Sequence, residues 1–333
     1  MKKIFLACVM SVSVFGCEDR KKDNNMHMQN DVTYSACVGR TLLEIPGFLA
    51  ESPITTGIFK NAGSGPQAAS FNVMVSAAGM TRPQFEAATQ KRRAQLKNSP
   101  SQTVDVLRLD REVDADTVLF RVQRIDDAYV SEVNLFRGGN LVTVTFNSYD
   151  EAFVSAEATL LKFAHSINVR PKMDSGDGFA GFCLGPVLIS GNFEQESASF
   201  LFGDPKRLSL SVEIDTYSPD ETVPLLARMS GPASLLGIFD LRHGVIRAGE
   251  RQAAGMRAQE WLGWAKLREE PNTKSLKFIL DTLRSMPGKA KPNINVTLNS
   301  RPSAEAGPAV PAAEGDLVQM WDSIIKSIHP ATI

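Results

Sequence analysis

Two stretches half a chain apart, LLKFAHSINVRPK (160–172) and MWDSIIKSIHPATI (320–333), share one pattern of apolar residues. With Ser327 placed on Ser166, four apolar residues of the second stretch align with four of the first: Trp321, Ile324, Ile325 and Ile328 with Leu160, Phe163, Ala164 and Ile167. Both quartets follow i, i+3, i+4, i+7 spacing, which is the apolar stripe of an amphipathic helix. The sequence therefore predicts two segments that each end with the same core-facing helix.

The similarity between the halves extends upstream of these helices. SACVGRTLLEIPGF (35–48) and GFCLGPVLISGNF (181–193) each place a cysteine just before a short apolar strand. FNVMVSA (71–77) and LSLSVEIDT (208–216) have the alternation of half-buried strands. A helix is expected after each, from Thr81 to about Lys97 in the first half, and from the capping box Ser218–Glu221 to Gly231 in the second.

A meander of strands precedes each closing helix. In the first half the strands are 118–125, 129–136 and 141–147, with turns at Asp126-Asp127 and Gly138-Gly139; in the second half the pattern is less regular. We therefore predict an α+β fold made of two similar β-α-β-β-β-α domains, with antiparallel sheets and helices packed on one side. The domains are residues 33–172 and 181–333, and the Pro/Gly/Asp-rich residues 173–180 link them.

The N-terminus has the pattern of a secretion leader. Lys2 and Lys3 precede an apolar stretch, 4–15, which is shorter than the roughly 20 residues that a membrane span needs. The junction VFGC and the charged residues after it predict a lipoprotein signal at 1–16, with Cys17 as the lipidated residue. A soluble secretory signal is the alternative. Residues 17–32 are polar and read as a flexible tether with a reach of about 20 Å.

Charge and cysteine content narrow the possible partners and compartment. Removal of the leader leaves 34 basic and 37 acidic residues, a net charge near −3, so nucleic acid is not an expected partner. The basic run Lys91-Arg92-Arg93 is interpreted as a solvated helix face. Cys37 and Cys183 then remain as an even pair in an oxidising compartment and form a candidate disulfide, with two buried free thiols as the alternative.

A search for reactive centres finds none of the common motifs. GxSxG, HExxH and P-loop patterns are absent from the sequence. Asp174–Gly178 resembles a calcium loop but lacks the closing glutamate, so no metal or cofactor is expected. Trp261 and Trp264 are interpreted as core rather than an exposed patch. The sequence predicts a binding protein and not an enzyme; a hydrolase built around His243 is the least favoured reading.

The ordered set of segments resembles the immunity proteins that protect bacteria against type VI secretion lipase effectors of the fourth class. The segments that carry the resemblance span residues 37–330: CVGR at 37, GFC at 181, VLISGNFEQESASFLF at 187, LSLSVEIDT at 208, LLARMSG at 225, RQAAGMRAQE at 251, INVTLNSRP at 294 and LVQMWDSIIKSIHP at 317. The resemblance implies a two-domain periplasmic inhibitor that clamps the cap of its cognate lipase in a one-to-one complex.

Candidate contact residues come from the loops. The acids Asp126, Asp127, Glu194 and Glu196 are predicted to steer association with a basic surface on the effector. The leader implies attachment to a membrane through lipid, and Glu18 after the cysteine favours the inner leaflet of the outer membrane. The alternative function is an envelope-assembly lipoprotein, a structural or chaperone module without a toxin partner.

Overall fold

The computed structural model describes residues 32–61, 69–77, 79–98, 105–149, 152–171, 180–217, 223–230, 242–266, 274–282, 287–301 and 313–331. The leader with Cys17, the tether up to residue 31, the capping box at 218–222 and the candidate calcium loop at 174–178 lie outside these residues.

The first half contains nine strands and two helices within the described residues: β1 (Thr33–Val38), β2 (Thr41–Pro46), β3 (Ile54–Lys60), β4 (Ser70–Ala77), α1 (Arg82–Lys97), β5 (Val106–Asp114), β6 (Thr117–Ile125), β7 (Ala128–Arg137), β8 (Asn140–Tyr149), α2 (Phe153–His165) and β9 (Ile167–Val169). The second half follows the same order: β10 (Phe182–Leu184), β11 (Val187–Ile189), β12 (Gln195–Gly203), β13 (Leu208–Asp215), α3 (Leu225–Ser230), β14 (Arg242–Ala253), β15 (Met256–Lys266), β16 (Lys274–Asp281), β17 (Asn293–Ser300), α4 (Glu314–Ser327) and β18 (His329–Pro330).

The repeat is richer than the predicted β-α-β-β-β-α unit. Each half begins with two hairpins, continues with a helix and a four-stranded meander, and ends with a helix and a short strand. The irregular second meander is well formed, and the segment 256–266 is a strand. Positive φ values at Gly138 and Gly139 give the turn between β7 and β8 the twist that a tight hairpin requires.

One antiparallel sheet runs through both halves. Its twelve strands lie in the order β14-β15-β16-β17-β13-β12-β3-β4-β8-β7-β6-β5. The central pair joins the halves, because β3 of the first half pairs with β12 of the second from Thr56↔Ser199 to Lys60↔Gln195. The α+β class with antiparallel sheets is confirmed. The division into domains at 33–172 and 181–333 stays a prediction, since sheet and core are continuous across it.

The two closing helices cover one face of this sheet, called the inner face here. All eight residues in the predicted stripes are at most 5% exposed, and Trp321 is fully buried. The stripe of α2 packs on β7 and β8, where Phe163 stacks on Phe71 of β4 at 4.2 Å between ring centroids. Hairpins β1–β2 and β10–β11 share the same core.

The helices α1 and α3 lie on the opposite, outer face, which differs from the prediction that helices pack on one side. Strand β6 explains the difference in the first half, since its residues are buried on both faces. Leu119 faces the main core, whereas Val118 and Phe120 pack with Leu96 of α1. In the second half Leu225 of α3 packs in the same way on Trp261. This contact confirms that Trp261 is a core residue.

Short terminal strands exchange between the halves. Strand β9, which follows α2, pairs with β11 of the second half, and β18, which follows α4, pairs with β2 of the first half. Phe59 of β3 adds aromatic contacts across the junction. Its ring centroid lies 5.0 Å from that of Phe182 and 5.3 Å from that of Phe193. Each half therefore completes a small sheet that the other half begins.

A disulfide and an ion pair also cross the junction. Cys37 and Cys183 are bonded, with their Cα atoms 5.8 Å apart, and the backbones of Gly39 and Cys183 exchange two hydrogen bonds. Next to them, Arg40 donates two hydrogen bonds to the carboxylate of Glu196, at 2.8 and 2.7 Å. Glu196 is fully buried, so its charge depends on Arg40 for compensation.

Replacing both cysteines by serine should lower the free energy of unfolding without changing the fold. The bond closes a loop between residues 146 apart in the chain, and the chain-entropy model gives about 5 kcal/mol as its upper value. Urea unfolding of the oxidised protein and of the double variant measures the difference. An equal midpoint for the two proteins would contradict a bonded pair.

Replacing Arg40 by alanine should cost about 3–5 kcal/mol, because it leaves a buried carboxylate without its cation. The double variant Arg40→Met with Glu196→Leu should lose clearly less than the single change, since no charge is then left buried. Thermal and urea melts of the single and double variants test this order. If the double variant lost as much free energy of unfolding as the two single changes together, the two side chains would not act as a pair.

Candidate protein-binding cleft

The middle of the outer face carries no helix within the described residues. Helix α1 covers β5, β6 and β7 toward one end of the sheet, and α3 covers β15 and β16 toward the other. Between them lie β8, β4, β3, β12, β13 and β17. The outward side chains of the first five form the floor of a cleft. The two helix-covered ends are called the first and second arm here.

The floor encloses an open cavity of about 550 Å³. Side chains alternate along a strand, so the residues between the buried ones point into the cleft. Two outward residues of each of the five strands line it: Thr56 and Ile58, Asn72 and Met74, Thr143 and Thr145, Ser197 and Ser199, Glu213 and Asp215. Most are small hydroxyl or amide residues, which suits a surface that hydrogen-bonds to another protein.

An apolar stripe interrupts this polar floor on the first-half side of its centre. Ile58 of β3 is 42% exposed and Met74 of β4 is 40% exposed, and Ile54 at the start of β3 is 55% exposed. Met74 stands opposite Thr56 in the strand register and is therefore a diagonal neighbour of both Ile54 and Ile58. Large apolar side chains exposed this near one another are informative, because single ones scattered on a surface are common and groups of them mark binding sites. The stripe is therefore the strongest mark of a binding surface on this face.

The side of the cleft formed by β13 is acidic. Glu213 is exposed, and Asp215 is half-buried and accepts a hydrogen bond from the backbone N–H of Tyr217 at 2.7 Å. Burial raises the pKa of Asp215, while that hydrogen bond and the charge of Lys60 act in the opposite direction. The Lys60 ammonium lies 6.0 Å from the centre of the Tyr217 ring. This edge thus carries two carboxylates and one nearby cation.

Polar contacts hold the first arm against the floor. Arg92 of α1 donates to Glu132 of β7 at 2.7 Å, Asn134 donates to the same carboxylate at 2.9 Å, and Thr143 of β8 donates to Asn134 at 2.8 Å. The bond to Glu132 is the main cause of the raised pKa of Arg92. Arg93 pairs with Asp110 of β5 at 2.7 Å. The prediction of a solvated face at 91–93 is therefore wrong for both arginines, which bind α1 to the sheet.

The second arm is held in a similar way. Arg228 of α3 forms an ion pair with Asp281 of β16, and the backbone N–H of Leu226 donates to the side chain of Gln259 at 2.9 Å. Burial raises the pKa of Asp281, and the charge of Arg228 opposes that shift. Both arms are thus attached to the sheet by side-chain contacts, and a partner meets a cleft whose walls are already in place.

The predicted contact acids do not come together in the structure. Asp126 and Asp127 are exposed in the turn between β6 and β7, and Glu194 is exposed just before β12. None of the three lines the cavity. The prediction that Glu196 is a loop acid is wrong, because Glu196 lies within β12, is fully buried and pairs with Arg40. It is a structural residue at the junction rather than an exposed loop acid.

Sequence reasoning missed the residues that do line the cleft. Glu213 and Asp215 lie within LSLSVEIDT, where the period-two pattern was used to find the buried side of the strand. The outward residues of the alternating strands could have indicated a binding surface, since they include carboxylates on β13 and large apolar side chains on β3 and β4. Which outward residues face a common cleft depends on the pairing of β12 with β3, and that pairing joins segments about 140 residues apart.

The described residues contain no group of three or more His, Cys, Asp or Glu side chains placed to hold a metal ion. His243, the centre of the hydrolase reading, is an exposed residue of strand β14 opposite Ala265. No helix in the described part of the chain combines the length and the apolar character needed to cross a membrane.

Comparison with known structures identifies the fold. Immunity protein TplEi of the type VI secretion system of Pseudomonas aeruginosa, in its apo form, superposes with a TM-score of 0.66 at 13% identity, covering 91% of this chain and 99% of TplEi. A chain of the Tle4-Tli4 complex superposes with a TM-score of 0.67 at 14% identity, over 91% and 99% of the two chains. No curated protein sequence is significantly similar.

The sequence of the second half also matches a family model. Residues 179–330 match the Tle cognate immunity protein 4 C-terminal domain, and this range runs from just before β10 to β18. The second half of the chain is thus similar to the Tle cognate immunity protein 4 C-terminal domain, which confirms the resemblance of the chain to the immunity proteins of type VI secretion lipase effectors.

Proposed function

We propose that this protein is an immunity protein that binds a cognate type VI secretion lipase effector through the outer cleft and inhibits it. The observation that carries the proposal is the family match of residues 179–330, together with a fold shared with the immunity protein TplEi and with a chain of the Tle4-Tli4 complex. The open cleft supplies a site of the right kind, with an exposed apolar stripe, a polar floor and two attached arms.

The mechanism follows from how lipases reach lipid. A lipase must displace its cap before its active site can meet a membrane. A partner that holds the cap in its closed position shifts that equilibrium by its difference in affinity for the two forms. The arms of the cleft are joined by one sheet, a disulfide and exchanged strands, so little order has to be gained on binding. No catalytic group is needed for such inhibition.

The proposed location is the periplasm, with attachment to the membrane through lipid on Cys17. The bonded Cys37 and Cys183 suit an oxidising compartment. The leader motif at 1–16 and the polar residues 17–31 support a tether, and Glu18 favours the inner leaflet of the outer membrane. Tethering raises the local concentration of the inhibitor where the lipase meets its substrate.

A titration tests the function directly. The mature protein, residues 18–333, is mixed in rising amounts with the purified lipase-like product of a neighbouring gene, and phospholipid hydrolysis is followed. We expect activity to vanish at a one-to-one ratio, with a complex on a sizing column. Undiminished activity with every lipase that the cell encodes would favour the envelope-assembly alternative.

A charge placed on the apolar stripe should abolish tight binding. Ile58→Asp puts an unpaired carboxylate where the partner must cover the floor, and the loss should be about 100-fold or more in Kd. Stability should change little, because Ile58 is exposed. Val154→Asp is the matched control, since Val154 is 66% exposed on α2, on the other face of the sheet. Equal affinities of the two variants, measured by calorimetry, would exclude the stripe as a contact.

The exposed loop acids should contribute to binding through the rate of association. Single reversals Asp126→Lys, Asp127→Lys and Glu194→Lys should each slow association several-fold at low salt and leave dissociation nearly unchanged, as for charges at the rim of an interface. Asp316→Lys, at an exposed acid of α4 on the inner face, serves as control. Association rates equal to that of the control would remove these three residues from the interface.

A further inference from the structure

The cleft is built with an internal approximate two-fold relation. Strands β3 and β12 form its central pair, and β4 and β13 flank this pair on either side. Each flanking strand is the second strand of a hairpin and leads toward the outer-face helix of its own half, α1 or α3. The backbone alone would therefore offer nearly the same surface to a partner turned by half a turn.

The side chains break this symmetry. Strand β4 directs Asn72 and Met74 into the cleft, whereas β13 directs Glu213 and Asp215 into it. Ile58 of β3 pairs with Asn72 of β4, whereas β12 and β13 lie on the other side of β3. The apolar stripe, which is formed by β3 and β4, therefore lies on the β4 side of the cleft. One side of the floor is thus neutral and apolar, and the other is acidic.

The acidic side has little internal compensation. Glu213 forms no ion pair or side-chain hydrogen bond with any residue that the structure describes. Asp215 has the Tyr217 N–H and the more distant charge of Lys60. Covering these carboxylates with a neutral partner would remove their water without replacing it, and an acidic partner would add repulsion.

We infer that the part of the effector that enters the cleft carries an arginine or lysine on the side facing β13 and apolar side chains on the side facing β3 and β4. This inference rests on the proposed function. It adds which side chains the partner carries and in which orientation the partner lies in the cleft. The acidic pair then selects one of the two directions that the backbone would allow. It also rejects effectors that lack the basic residue, because a mismatch leaves buried carboxylates unpaired.

Exchange of two exposed side chains tests direction apart from net charge. The variant Asn72→Glu with Glu213→Asn moves one carboxylate across the cleft and keeps the overall charge. A second variant, Glu213→Gln with Asp215→Asn, removes both charges. The control Glu314→Gln with Asp316→Asn removes two charges from α4, which packs on the inner face. Because Asn72 and Glu213 are exposed, the exchange variant should melt like the parent.

The readout is binding kinetics with the purified lipase from the neighbouring gene. Rates are measured at about 0.05 M salt and at about 0.5 M salt, and at the higher concentration the interactions between charges are strongly screened. We expect both cleft variants to bind about tenfold or more weakly than the parent at low salt, and the control to bind like the parent. If the neutral variant melts early, Glu213→Gln alone replaces it, and a severalfold loss is expected.

The outcomes separate this inference from the function. If the exchange variant binds as tightly as the parent, the direction is not set by these side chains and the inference is wrong, while inhibition by the parent would still stand. Normal binding of the neutral variant would likewise reject a basic partner residue. If the parent itself fails to bind the lipase, the proposed function fails and the inference fails with it.

Discussion

The pairing of β3 with β12 is the constraint on which the rest of the structure depends. It joins two six-stranded halves into one twelve-stranded sheet, so the inner face becomes one core and the outer face becomes one surface. Phe59 on β3 lies at the centre of that core and contacts aromatic rings from both halves. Without this pairing two edge strands would be exposed, and unpaired edges invite association with other chains.

The exchanged strands and the disulfide make the two halves mutually dependent. Strands β9 and β18 find their hydrogen-bond partners only in the opposite half, and the buried Glu196 finds its cation there as well. Contacts of this kind join residues that are far apart in the sequence. They therefore favour cooperative folding and disfavour hinge motion between the arms. A clamp that is already in shape loses less entropy on binding than one that must close.

The outer cleft combines this preformed shape with a surface whose two sides differ in chemistry. Its outward residues include the apolar Ile58 and Met74 on one side and the acidic Glu213 and Asp215 on the other. A chain whose described residues contain no metal-binding cluster can still act by holding another protein. The floor supplies apolar area and the acidic side supplies direction, which are separate contributions to affinity and specificity.

The sequence by itself determined the local structure and the repeat. Helical periodicity at 160–167 and 321–328, alternation at 71–77 and 208–216, and the glycine turn at 138–139 depend on neighbours in the chain, and all were predicted. The two cysteines and the segments resembling immunity proteins were also readable. In contrast, the partners of β3, β9, β12 and β18 were decided only in the tertiary structure, because strand pairing joins backbone groups that every sequence carries. That pairing buried Glu196 beside Arg40 and brought Ile58, Met74, Glu213 and Asp215 into one cleft.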